Sequence, residues 1–100
     1  MKVKEFIEFV NNSNFSSLNM ISVDDWWICS EELNSFSEMY NVYTDIYKCE
    51  DGFVGVTGVI PKEGYTPEEI GIPCRAEEYV PIPSIKYVSK TSINELAFKH

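Results

Sequence analysis

The chain has 100 residues, a formal net charge of −8 and 44% hydrophobic residues, which is typical of one small globular domain. Such an excess of acid argues against direct binding of nucleic acid, which needs a basic surface. No apolar run approaches the roughly 20 residues of a membrane span and no secretory signal follows the N-terminus, so we expect neither membrane insertion nor secretion.

The first forty residues predict a helix, a strand and a second helix. Val3, Phe6 and Val10 recur at helical spacing and predict a helix over residues 2–11. Residues 20–29 alternate as a strand would, with a bulge expected near Asp24 and Asp25, before the two tryptophans. Ser30 followed by two glutamates predicts an N-cap and an acidic first turn, with Leu33, Phe36 and Tyr40 on one face of the helix.

The middle of the chain predicts a β-hairpin and a short helix. Residues 42–49 and 53–60 are rich in β-formers and are joined by Asp51-Gly52, a strong hairpin signal. Gly55 and Gly58 in the returning strand indicate a bulge or a close backbone approach. Residues 66–71 contain a capping box with proline at the first helical position, which predicts one helical turn.

The last third of the chain is rich in proline, which restricts residues 78–82 to an edge strand or strap. Residues 84–89 are the final strand candidate, and residues 91–100 would form a short helix or tail. The chain therefore predicts a single compact α+β domain over 1–100, with 90–100 as a candidate frayed tail. We expect a small antiparallel sheet of about four strands with one or two helices packed on one face.

Catalytic and metal-binding motifs are missing from the sequence. The one histidine is His100, the last residue, which argues against Ser-His, Cys-His and histidine-rich metal sites. The three cysteines lack CxxC spacing, which favours reduced, buried thiols in a cytoplasmic protein. The acidic doublets match no calcium loop, and the glycines match no phosphate loop. We expect no enzyme, no metal site and no cofactor.

Acidic and aromatic residues are concentrated between residues 24 and 51. This segment holds eight acidic residues and one lysine, a net charge of −7, together with six large aromatic residues. Aromatic anchors ringed by carboxylates suit a protein partner with a basic surface. The predicted interface residues are Asp24, Asp25, Trp26, Glu31, Glu32, Glu38, Tyr43 and Asp45. Alternatively, the aromatic residues form the core and the acids keep a small protein soluble.

The chain resembles, at the level of class, the small inhibitors encoded by phages and mobile elements, anti-CRISPR proteins among them. The resemblance rests on its size, its charge and this acidic-aromatic segment. The resemblance implies a non-catalytic inhibitor that imitates nucleic acid and blocks a basic, nucleic-acid-binding surface of its partner. One alternative is an accessory or regulatory subunit docking through the Pro-flanked arm 73–88. Another is a small-ligand-binding domain that uses Arg75, which could instead pair with a nearby glutamate, and the backbone of Gly55 and Gly58.

Overall fold

The computed structural model describes residues 1–33, 37–82 and 86–90. Within them, five antiparallel strands form one sheet in the order β1-β2-β3-β4-β5, curled into a half-barrel. The strands are β1 (Trp27–Leu33), β2 (Tyr40–Cys49), β3 (Gly52–Pro61), β4 (Arg75–Ile82) and β5 (Lys86–Ser89). The helices are α1 (Val3–Ser13) and α2 (Pro67–Ile70), with 3₁₀ turns at Leu18–Met20 and Asp24–Trp26. This confirms the predicted α+β class, with five strands where about four were expected.

Helix α1 packs its apolar stripe on one face of the sheet. Val3, Phe6 and Val10 are buried there, and the Phe6 ring lies 5.1 Å from that of Tyr47 on β2. The N-terminus of α1 receives no side-chain cap from Lys2. Instead, the Val3 N–H donates to Oδ1 of Asp51 in the β2–β3 turn at 2.8 Å, and this bond lowers the pKa of that carboxyl. The hairpin turn therefore holds the start of the helix.

The hairpin of β2 and β3 pairs without a break from Tyr40↔Pro61 to Cys49↔Gly52, so it contains no bulge. Close backbone approach explains its two inner glycines. A Cβ on Gly55 would lie 2.3 Å from the Tyr79 ring, and one on Gly58 would lie 2.5 Å from Sγ of Cys74. Each glycine therefore makes room for a side chain packed across the sheet.

The capping box of α2 forms as the sequence predicts. The Glu69 N–H donates to Oγ1 of Thr66, and the Glu69 carboxylate accepts the Thr66 N–H. Pro67 occupies the first turn, and Gly71 ends the helix in the left-handed conformation with φ of 67°. No helix in the described residues is long and apolar enough to cross a membrane.

The strand predicted over residues 20–29 is correct only from Trp27 onward, and the helix predicted to follow Ser30 is wrong. Residues 18–20 and 24–26 form 3₁₀ turns, and the strand begins only at Trp27. The residues assigned to the first turn of a second helix, Glu31 and Glu32, lie in β1. The ladder irregularity falls between Trp27 and Cys29 instead of near the aspartates. The error arises because β1 is a solvent-exposed edge strand. Its residues do not alternate between apolar and polar side chains, so the sequence lacks the usual strand pattern.

The predicted edge strand at 78–82 is longer than expected and lies inside the sheet. Strand β4 begins at Arg75 and pairs with β3 up to Tyr79, and from Tyr79 onward it pairs with β5. Pro81 therefore occupies a stretch that is paired on one side only, where its missing N–H does little harm. Phe36, the start of the final strand at 84–85 and the tail at 91–100 lie outside the described residues.

Candidate partner-binding site

Strand β1 forms one edge of the sheet and carries exposed apolar side chains. In the part of the chain that the structure describes, it pairs with β2 alone. The side chain of Trp27 is 48% exposed and that of Ile28 is 37% exposed. Glu31 and Glu32 follow on the same strand, both exposed. We call these four residues, together with Asp25, the acidic edge.

A hydrogen-bond chain holds the exposed tryptophan in place. The indole Nε1–H of Trp27 donates to Oγ of Ser30 at 3.2 Å, and the Ser30 hydroxyl donates to Oδ1 of Asp45 at 2.5 Å. Burial raises the pKa of the Asp45 carboxyl, and the Ser30 hydrogen bond opposes that rise. The ring is thus oriented before any partner arrives, which reduces the entropy lost on binding.

The predicted aromatic anchors, Trp26 and Tyr43, are partly buried. Trp26 and Tyr43 pack against the hydrophobic core, and the Trp26 ring lies 6.3 Å from that of Phe6. Asp45 is partly buried on the face that α1 covers. Of these three side chains, Asp45 is linked to Trp27 through the Ser30 hydroxyl. Trp27 and Ile28 are exposed residues that the sequence-based set missed. The tryptophan doublet was the available signal, because adjacent residues of a strand point to opposite faces.

The predicted acids are only partly brought together. Glu31 lies opposite Thr44 and Glu32 opposite Tyr43, so the two carboxylates point to opposite faces of the strand. Asp25 is exposed in the 3₁₀ turn that leads into β1, and Asp24 belongs to the same turn. Glu38 is exposed before β2, at the far end of the seven-residue β1 and about 20 Å from Trp27. It lies away from the acidic edge.

The geometry gives little support to the small-ligand alternative built on Arg75 and the two glycines. Gly55 is covered by Tyr79, and Gly58 by Cys74 and Leu18. The Arg75 guanidinium donates to Oδ1 of Asn14 and to the Cys74 carbonyl, both at 3.1 Å. It thus has neutral oxygen acceptors in place of the predicted glutamates.

The arm predicted for the accessory-subunit alternative contains β4, which lies inside the sheet, and most of the strand at its other edge. That edge is β5, with four residues, and its Tyr87 ring lies 5.1 Å from that of Phe53. Because Tyr87 already has an aromatic neighbour within the domain, this edge offers less free apolar surface than β1 does.

The buried thiols are poor nucleophiles. Burial raises the pKa of Cys74 to about 11, with the nearby Asp45 carboxylate adding to the rise. Burial also raises the pKa of Cys49. Both side chains therefore stay protonated at neutral pH and serve as small apolar packing groups. No cluster of three or more potential metal ligands occurs among the described residues.

The chain was compared with protein-family models, curated proteins and solved structures, and none of the three comparisons found a match.

Proposed function

We propose that this domain is a non-catalytic binding protein that docks a basic partner protein on the acidic edge. The observation that carries the proposal is the exposed, hydrogen-bonded Trp27 on an edge strand, next to the exposed Ile28 and followed on the same strand by the exposed Glu31 and Glu32. Tryptophan is enriched among the residues that dominate binding energy at protein interfaces. An exposed apolar pair beside acids is therefore suited to a partner that carries both apolar and basic groups.

The acidic edge would act in two ways. The net charge of −8 favours encounter with a positively charged surface and speeds association at low salt. After encounter, Trp27 and Ile28 supply the apolar contact. Among residues 1–33, 37–82 and 86–90, no strand pairs with the outer side of β1, so its main-chain groups can accept a strand from the partner.

The finer proposal is that the domain inhibits a nucleic-acid-handling protein. Carboxylates at Glu31 and Glu32 would occupy positions that phosphates take on the partner's basic surface, so binding would exclude nucleic acid. A cytoplasmic location agrees with the free thiols of Cys29, Cys49 and Cys74 and with such a partner.

Affinity capture from extracts of the native host, with matched variants, tests the proposal. W27A should weaken capture of any specific partner about thirtyfold, because a central tryptophan at an interface contributes about 2 kcal/mol or more. E31K/E32K should abolish capture. E5K/E8K changes the net charge by the same amount on the exposed side of α1 and should have little effect.

Two further measurements sharpen the result. Capture should fall as salt rises, since exposed charges are screened, and the captured partner should lose binding to its nucleic acid when the wild-type domain is added. The proposal fails if E5K/E8K and E31K/E32K weaken capture equally, because the effect would then reflect bulk charge. It also fails if W27A captures as well as wild type. If the partner is captured but keeps its nucleic acid, the inhibitor proposal alone is wrong.

A further inference from the structure

A groove of about 280 Å³ lies on the face of the sheet opposite α1. Its lining comes from strands across the whole sheet, including Glu31 on β1 and Tyr87 on β5. On a flat sheet, residues on these two edge strands would be about 19 Å apart. The curl of the half-barrel therefore brings both edges around one groove.

The groove combines carboxylates, hydroxyls and aromatic rings. Glu31 and Glu77 contribute exposed carboxylates from β1 and β4. Thr44 and Thr57 form a hydroxyl pair with their Oγ1 atoms 2.8 Å apart, and Thr44 is only 3% exposed. Such a lining is rich in hydrogen-bond acceptors and suits a ligand that donates hydrogen bonds and is positively charged.

Aromatic rings in and beside the groove strengthen this preference. Tyr79 lies above Gly55, which leaves room for its ring across the sheet. Tyr87 lies beside Phe53, and Nζ of Lys48 lies 4.6 Å from the centre of the Phe53 ring. An ammonium group therefore already rests on an aromatic ring next to the groove, through the attraction of a cation to the ring face.

The guanidinium of Arg75 donates its hydrogen bonds to groups that do not line the groove. Arg75 pairs with Thr57 in the β3–β4 ladder, but its Nη1 donates to Asn14 at the end of α1 and to the Cys74 carbonyl. No lysine or arginine is among the described residues that line the groove.

We propose that this groove binds a linear aliphatic polyamine. One terminal ammonium group would contact Glu31 and the other Glu77, while the chain crosses the Tyr79 ring and the threonine hydroxyls. The two glutamates stand three strands apart and two residues out of register, which is about 16 Å on a flat sheet and less on a curled one. A two-ended cation can reach both carboxylates, whereas a single ammonium reaches one. The groove shares Glu31 with the acidic edge, but its lining does not include Trp27 or Ile28, and the proposed ligand goes beyond the proposed function.

Titration with spermidine, followed by calorimetry and by amide NMR shifts, tests this site. E31Q and E77Q should each weaken spermidine binding about two- to fivefold, as expected for exposed ion pairs. Their sequence neighbours provide matched controls: Glu32 and Glu78 lie on the same strands but point to the opposite face. E32Q and E78Q should bind as wild type does at physiological salt, where distant charges are screened.

Three further results complete the test. K48Q should bind spermidine more tightly because it removes a competing ammonium from beside the groove. Tetraethylene glycol, a neutral chain, should not bind. W27A should bind spermidine normally, so failure of the partner-binding proposal leaves this one intact. Equal weakening by the four Glu→Gln variants would overturn the proposal, since spermidine binding would then follow net charge. Absence of amide shifts at residues 31, 44, 77 and 79 would overturn it as well.

Discussion

Replacing Gly55 with alanine tests how Tyr79 is held across the sheet. The added Cβ would lie 2.3, 2.5 and 2.7 Å from three atoms of the Tyr79 ring, where 3.4–4 Å is ordinary contact. The ring must therefore move by about 1 Å or more, and overpacking of this kind costs about 1–3 kcal/mol. Tyr79 is only partly buried and can swing outward. We expect G55A to lower the free energy of unfolding by about 1–2 kcal/mol.

A double-mutant cycle isolates this contact. In a Y79A background the clash is gone, and alanine is favoured over glycine in a strand by about 0.5–1 kcal/mol. G55A should then be neutral or slightly stabilising, which gives a coupling energy of at least about 1 kcal/mol. Urea unfolding followed by tryptophan fluorescence measures all four proteins. An equal loss of stability in both backgrounds would refute the assigned contact.

Three further substitutions have defined outcomes. Burial raises the pKa of Asp45 above its ordinary value of 3.8, so the fold loses stability as pH rises through the folded-state pKa and the carboxyl ionises. D45N should therefore be more stable than wild type at neutral pH. The difference in urea midpoint between D45N and wild type should narrow towards mildly acidic pH. Asp51 acts in the opposite sense, because the hydrogen bond from the Val3 N–H lowers its pKa. D51N should be less stable than wild type at neutral pH, but not at pH values where the wild-type carboxyl is protonated. A stability difference between D51N and wild type that stays constant across pH would contradict this. G58A places a Cβ 2.5 Å from Sγ of buried Cys74 and should cost about 3 kcal/mol in urea unfolding, more than G55A because the surroundings of Cys74 cannot move into solvent.

Local signals in the sequence predicted the elements that depend on local chemistry. The apolar spacing of α1, the Asp51-Gly52 turn and the capping box at Thr66 and Glu69 all appear in the structure. Each is set by residues within a few positions of one another, so a single sequence contains the information. The close approach at Gly55 was also predictable, but its partner Tyr79 was not, because that contact depends on how β4 pairs with β3.

The acidic segment was harder to interpret from sequence. A serine before two glutamates is typical of a helix start, yet Ser30, Glu31 and Glu32 form an edge strand. An edge strand tolerates charge at successive positions and often uses it to discourage unwanted pairing. Which tryptophan would be exposed could not be read from the doublet, since Trp26 is held inward by contact with Phe6.

Hydrogen exchange of the domain, alone and with its captured partner, tests the central claim most directly. The acidic edge should be the region that gains protection, so amides of residues 25–33 should exchange more slowly in the complex while those of β5 and α1 remain unchanged. Protection confined to residues 79–89, with none in β1, would contradict the account and favour docking through the opposite edge of the sheet.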